Sequence, residues 1–138
     1  MALDVFINFN GNCKEALDFY AEVFKSPVQG LMTYGDAPPA EGYVTPESDK
    51  HRIMYASVNI GGSDVMFSDA PTGVPHVVGN NIVLTVKVTE RAEVERLYNA
   101  LNNDPNAQMP PQETFFADYF AMAFDQFGII WNIINNAT

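Results

Sequence analysis

Hydrophobic and polar positions follow two periodic patterns along this chain, and the order of the patterns repeats. Residues 5–9 (VFINF) alternate with a period of two, which predicts a strand with two unlike faces. A helical pattern follows and stops at Pro27. Asn12 and Glu15 predict a capping box at its start. The apolar face of this predicted helix comprises Ala16, Phe19, Tyr20, Val23 and Phe24.

The rest of the first half predicts three more strands. Residues 28–34 (VQGLMTY) form the first of them, and residues 35–50, rich in proline and acidic residues, predict a long exposed loop. Two strand-like runs then flank Gly61 and Gly62, which predicts a hairpin with a tight turn. Prolines and glycines in residues 70–80 predict a linker.

The same order returns after the linker. Residues 80–88 (NNIVLTVKV) predict a strand, and Thr89 is a candidate cap for the next helix. Three further strands are predicted in the segments AQMPPQE, FFADYFAMAF and GIIWNII. The apolar face of the second predicted helix comprises Val94, Leu97, Tyr98 and Leu101.

This repeat predicts an α+β fold of two βαβββ modules. They span approximately residues 1–70 and 80–138 of one domain that covers residues 1–138, with 70–80 as the linker. One helix covers one face of each curved sheet, so we expect the other faces to bury against each other around a cleft. In the first strand, Phe6 and Asn8 would face the cleft. In the last, Trp131 would face the helix and Asn132 the cleft.

Composition narrows the classes of partner. The chain has 138 residues, is 47% hydrophobic and carries a formal net charge of −10. Its few Lys and Arg residues form no stripe, which argues against nucleic acid and anionic membranes as partners. No apolar run approaches the ~20 residues that span a bilayer. The N-terminal segment lacks the basic residues of a signal peptide, so the sequence favours a cytoplasmic protein.

A few side chains could carry chemistry. Cys13, the single cysteine, is predicted in the first turn of a helix, where the dipole would lower the thiol pKa. It is either a nucleophile or an inert packed thiol. His51 and His76 lack ligand spacing and favour surface positions. Glu113 lies beside two aromatic residues and is a candidate general base if it faces the cleft. Four other acidic residues could act as a general base: Asp36, Asp69, Asp118 and Asp125. Asp69 and Asp125 are also natural turn or cap residues.

Three segments carry a resemblance to a known family. FINFNGNCKEALDFYAEVF, SVNIGGSDVMFSDA and QETFFADYFAMAFDQFGIIWNII, in this order, resemble the PhnB-like branch of the vicinal oxygen chelate superfamily. This superfamily is also called glyoxalase/bleomycin resistance/dioxygenase, and the branch demethylubiquinone methyltransferase-like. Lys25-Ser26 departs from the small glycine turn that is usual after the helix. The resemblance implies paired βαβββ modules and a cleft.

In metal-dependent members, the resemblance implies four ligands at the first and last strands of each module. Those positions fall at Phe6 or Val5, at residues 66–68, at Asn81 or Val83, and at Asn132. None of these side chains is a good ligand for a divalent cation. The sequence therefore predicts no metal site and no cofactor.

We therefore expect a metal-independent protein that binds a small apolar or aromatic molecule, as a homodimer. One alternative is a glyoxalase- or dioxygenase-type metalloenzyme with a shifted ligand set of His51, Asp69 or Glu113. A methyltransferase is a further alternative, but the chain has no glycine-rich strand–turn–helix motif for a nucleotide-like cofactor. No catalytic residue is assigned beyond the candidate Glu113. The residues expected to line the cleft are Phe6, Asn8, Ser57, Met66, Ser68, Asn81, Val83 and Asn132.

Overall fold

The protein divides into two compact modules, residues Met1–Val77 and Val78–Thr138. The structure, a computed structural model, describes residues 1–38, 44–107 and 109–136. The division falls within the predicted linker. Within these described residues each module combines one α-helix with one small sheet, which confirms the predicted α+β class.

The first module has the predicted βαβββ order. Its sheet runs β1-β4-β3-β2, with β1 parallel to β4 and the other pairs antiparallel. The predicted hairpin is confirmed, since β3 and β4 flank Gly61 and Gly62. Two 3₁₀ turns, Tyr34–Asp36 and Glu47–Asp49, give structure to the described part of the predicted loop, whose residues 39–43 lie outside the described residues. The elements are β1 (Phe6–Phe9), α1 (Cys13–Val23), β2 (Val28–Thr33), β3 (Ile53–Ile60) and β4 (Ser63–Asp69).

Aromatic packing joins α1 to the sheet. The rings of Tyr20 and Phe67 stack with centroids 5.8 Å apart, and Phe67 in turn stacks on Phe9 at 6.0 Å. Tyr20 and Phe67 are fully buried. Phe9 thus faces the helix as its place in the alternating pattern predicts, and the even-numbered residues of β1 lie on the opposite face.

The predicted capping box at the start of α1 is wrong. Asn12 is the N-cap residue, but its side chain makes no capping hydrogen bond to the helix. Oδ1 of Asp69, at the end of β4, instead accepts hydrogen bonds from the amides of Gly11 at 2.7 Å and Cys13 at 3.1 Å. A carboxylate distant in sequence thereby takes the place of the local cap.

The second module places α2 beside a three-stranded sheet in the order β5-β7-β6. β5 is parallel to β7, and β6 is antiparallel to it. Thr89 does not cap α2, because Glu90 is the N-cap residue. No helix in the described parts of the chain is long and apolar enough to cross a membrane. The elements are β5 (Val83–Val88), α2 (Arg91–Leu101), β6 (Tyr119–Phe124) and β7 (Ile130–Asn135).

The strand predicted in AQMPPQE is wrong for the residues that the structure describes, and Gln108 lies outside them. The segment pairs with β6 only locally, through the amide of Met122 to the carbonyl of Met109 and through an isolated bridge between Gln112 and Phe120. Pro110 and Pro111 intervene and have no amide hydrogen to donate to a ladder. β6 also begins later than predicted, after a turn in which the amide of Ala117 donates to Oγ1 of Thr114.

Candidate functional site

Five predicted site residues lie on one face of the first sheet, the face opposite α1. In register, Phe6 pairs with Met66 and Asn8 pairs with Ser68 across β1 and β4. Ser57 pairs with Met66 across β3 and β4. Paired residues of neighbouring strands share a face, and Phe67, which contacts the helix, has the opposite parity. The structure therefore brings these five side chains together.

A hydrogen-bonded polar pair lies on this face. Ser68 Oγ donates to Asn8 Oδ1 at 2.5 Å. Nε2 of His76, from the end of the module, lies 3.0 Å from the carbonyl oxygen of Asn8. Since a carbonyl oxygen only accepts, Nε2 is the donor of this hydrogen bond. His76 thus joins the Asn8 edge of the sheet, while His51 does not take part in this cluster.

Apolar side chains extend the same face toward solvent. Phe6 is 48% exposed, and Tyr55 and Met32, which pair across β3 and β2, are each 38% exposed. Aromatic and thioether groups beside a hydroxyl–amide pair are typical of surfaces that bind small organic molecules.

The second sheet carries two of the remaining predicted site residues, Val83 and Asn132, on the face opposite α2. Trp131 is almost completely buried, and Asn132, the next residue of β7, has the opposite parity. Asn132 is in register with Thr85 on one side and Met122 on the other. Val83 has the same parity as Thr85 and lies at the start of β5. Asn81 precedes β5 and lies outside the sheet, in an exposed segment.

Asn132 has an unusual environment. Its Oδ1 is sealed from solvent and has no hydrogen-bond partner among the described residues. A buried carbonyl oxygen without a donor destabilises the fold by about 1–3 kcal/mol. This is the position at which the resemblance implies a carboxylate ligand in metal-dependent relatives. The amide oxygen is thus an unused acceptor at a site position.

Trp131, by contrast, is buried on the opposite face of the sheet, and its indole N–H has a hydrogen-bond acceptor. Its Nε1 donates to Oδ2 of Asp125 at 2.9 Å. Oδ1 of Asp125 accepts the amides of Phe127 and Ile129, both at 2.9 Å. Asp125 therefore serves the β6–β7 turn and the tryptophan, as a turn residue would, with both of its oxygens occupied.

Cys13 does not have the environment of a nucleophile. The side chain is completely buried, and burial together with the nearby Asp69 carboxylate raises the pKa of the thiol to about 12. The expectation that the helix dipole lowers this pKa is wrong, because desolvation and a like charge outweigh it. Amides at a helix N-terminus can bind a phosphate, but here the two amides already donate hydrogen bonds to Asp69.

Glu113 lies before β6, outside the strands that carry the predicted site residues. Its side chain is 71% exposed, and Oε1 accepts a hydrogen bond from Arg91 at 2.8 Å. This bond raises the pKa of Arg91.

Oδ2 of nearby Asp118 is sealed from solvent and has no hydrogen-bond partner among the described residues. Asp36, in the first module, accepts a hydrogen bond from the backbone amide of Thr33, and this bond lowers the pKa of the Asp36 carboxyl.

The residues present do not fit a divalent metal. Across residues 1–38, 44–107 and 109–136, no three His, Cys, Asp or Glu side chains form a group that could hold an ion. The shifted set of His51, Asp69 and Glu113 is therefore not assembled. Asp69 has both oxygens occupied, since Oδ2 accepts the amide of Ile53 at 2.9 Å.

Three residues beside Asn132 are not among the site residues predicted from the sequence. Thr85 and Lys87 have its parity on the neighbouring strand, and Met122 is its register partner on β6. The period-two alternation of β5 contained the signal for the first two. For Met122, the antiparallel register with β7 was needed.

The fold consists of two modules, each with a helix on one sheet, and each sheet has a face on which polar groups lie among apolar side chains. The comparisons agree. The family model described as 3-demethylubiquinone-9 3-methyltransferase matches residues 2–134, and the chain belongs to this family. The resemblance to PhnB-like proteins is thereby confirmed.

Three similar proteins illustrate the match. Protein YjdN of Escherichia coli strain K12 is 31% identical over 96% of this chain and 94% of its own. The crystal structure of PA1353 from Pseudomonas aeruginosa is 32% identical, covers 98% of both chains and has a TM-score of 0.80. A glyoxylase/bleomycin resistance protein/dioxygenase domain from Frankia shares the fold, at 13% identity over 99% of this chain and 91% of its own, with a TM-score of 0.66.

Proposed function

We propose that this protein binds a small apolar or aromatic molecule without a metal ion. The observation that carries the proposal is Oδ1 of Asn132, on the sheet face opposite α2, which is sealed from solvent and has no hydrogen-bond partner among the residues that the structure describes. A ligand N–H or O–H would supply the missing hydrogen bond. Met122 and Val83 on the same face supply apolar contact area.

The first module supports the same role. Phe6 and Tyr55 expose ring surface on the predicted site face, next to the Asn8–Ser68 pair. Such faces favour ligands that combine an apolar body with a few polar groups. The position at which metal-dependent relatives would hold a carboxylate carries an amide, which accepts and donates hydrogen bonds but is a poor ligand for divalent cations.

The test uses phenyl naphthylamine, a fluorescent aromatic amine with one N–H. We expect saturable binding to the full-length chain that is unchanged after treatment with EDTA, and no stoichiometric metal by elemental analysis. Asn132→Leu should weaken binding about fivefold to tenfold, the effect of one hydrogen bond of ~1 kcal/mol. Asn99→Leu, the same change on an exposed position of α2, should leave it unaltered. Absence of saturable binding, or its loss with EDTA, contradicts the proposal.

We also propose that the protein is a cytoplasmic homodimer. In support, β2 is an edge strand of the first sheet, and Leu31 and Met32 on it are 46% and 38% exposed. Light scattering coupled to size exclusion should give twice the 15.3 kDa chain mass. Leu31→Asp should shift the measured mass toward that of a single chain.

A further inference from the structure

Lys87 stands apart from most of the basic residues. The chain has seven Lys and Arg side chains, and five of them form an ion pair within the described residues. Lys25 and Lys87 are the two that do not. Lys25 follows the end of α1, whereas Lys87 lies within a strand. An unpaired cation is unexpected in a chain with 17 acidic residues.

The register places Lys87 near Asn132, on the neighbouring strand and two residues beyond its partner. Asn132 pairs with Thr85, two residues before Lys87 on β5, so all three share the face opposite α2. Two residues of rise along one strand and one strand spacing across separate the Cα atoms of Lys87 and Asn132 by roughly 8 Å. Lys87 and Thr85 are both exposed. An acceptor, a hydroxyl and an ammonium group thus lie on one face of the sheet.

We propose that the ligand of this face is an apolar acid, whose anionic group binds the Lys87 ammonium and whose N–H or O–H binds Asn132 Oδ1. This inference rests on the proposed function and names the class of ligand. A neutral apolar molecule would satisfy Asn132 and leave Lys87 unpaired. An acid with a donor a few ångströms from its anionic group satisfies both, and an ion pair next to apolar surface is stronger than one in open water.

Edge-strand protection is the competing role for Lys87, because β5 is an edge of its sheet. Lysines on edge strands prevent unwanted strand pairing, and a charge of either sign does so. The two roles make different predictions for Lys87→Glu. If Lys87 only prevents strand pairing, a glutamate in its place keeps that role. If Lys87 binds an anion, the glutamate abolishes the binding.

The experiment compares two dyes with the same aromatic rings and N–H. Anilinonaphthalene sulfonate carries an anionic group, and phenyl naphthylamine does not. We expect the full-length chain to bind the sulfonate at least fivefold more tightly. Lys87→Met should remove this preference and leave the affinity for the neutral dye within twofold, and Lys87→Glu should reverse the preference. Lys25→Met is the matched control and should change neither affinity.

The outcomes separate this inference from the proposed function. Equal binding of both dyes, or a preference that survives in Lys87→Met, overturns the apolar-acid inference and leaves small-molecule binding standing. Binding of neither dye overturns both. Circular dichroism and urea unfolding of each variant establish that the compared chains are folded, since the sulfonate dye also binds partly unfolded proteins.

Discussion

The indole of Trp131 and the carboxylate of Asp125 form a buried hydrogen bond, with Nε1 donating to Oδ2 at 2.9 Å. The other oxygen of Asp125 accepts two amides from the turn between β6 and β7. One carboxylate therefore joins the turn to the tryptophan of the last strand. Gly128 completes the turn with φ +86, a conformation that few residues other than glycine adopt.

Asp125→Ala should lower the free energy of unfolding by roughly 3 kcal/mol, because one buried and two part-buried donors lose their charged acceptor. Asp125→Asn should lose less, since Oδ1 can still accept the two turn amides. Urea unfolding followed by circular dichroism measures both. Asp18→Ala, which removes an exposed ion pair with Lys14, should cost at most about 0.5 kcal/mol. Equal losses for Asp125→Ala and Asp18→Ala would contradict the bridging role.

Asp69 connects three backbone segments of the first module. Its oxygens accept the amides of Gly11, Cys13 and Ile53, and its own carbonyl accepts the hydroxyl of Tyr34 at 2.7 Å. Replacing the side chain by methyl leaves buried amides at the start of α1 and β3 unpaired. Asp69→Ala should therefore destabilise the protein by about 3 kcal/mol or more.

Asp64 provides the control for Asp69. It lies on the same strand, is exposed and accepts one hydrogen bond from Asn59 at 3.1 Å. Asp64→Ala should cost less than about 1 kcal/mol in the same urea titration. The role of Asp69 as the cap of α1 is wrong if the two variants unfold at the same urea concentration.

These carboxylates show which features the sequence could reveal. The faces of Trp131 and Asn132 follow from alternation along one strand, a local pattern. The capping role of Asp69 does not, because its partners Gly11 and Cys13 are 58 and 56 residues away. Asn12 offered a plausible local cap, and the structure uses the distant carboxylate instead. The absence of a regular strand in the described residues around Pro110 and Pro111 could have been predicted, since prolines disrupt the hydrogen-bond ladder of a sheet.

The site shows the same division. The face on which Asn132 lies could be predicted from parity. That its Oδ1 has no hydrogen-bond partner within the described part of the chain depends on which groups surround it in three dimensions. The pKa of Cys13 was predicted in the wrong direction because burial and the Asp69 charge are not local features of the helix start.

The buried thiol of Cys13 predicts a specific pH dependence. Its pKa rises from an ordinary value of 9.0 to about 12 on folding. Between these values the folded chain binds more protons than the unfolded chain, so stability is full below pH 9 and falls as the pH rises toward 12. The loss approaches about 1.4 kcal/mol per pH unit for one proton.

Cys13→Ala should show a shallower loss of stability than the natural chain between pH 9 and 11, measured by urea unfolding at each pH. Comparing slopes removes the constant effect of the lost sulfur atom. Parallel slopes would contradict the raised pKa. In the folded natural chain, alkylation of Cys13 by iodoacetamide should be slow at pH 8 and should accelerate only as urea unfolds the protein.

Asn132→Leu should leave the free energy of unfolding unchanged or raise it by about 1 kcal/mol, because the variant buries no unpaired oxygen. Asn135, in the same strand, is the matched opposite. It is buried, and its Nδ2 donates to the carbonyl of Val88 at 3.2 Å. Asn135→Leu removes that donor and should destabilise the protein by about 1–3 kcal/mol. Urea titrations of the two variants therefore test the sign of the effect, not only its size. If Asn132→Leu destabilises as much as Asn135→Leu, the amide is structural, and the proposed ligand contact loses its foundation.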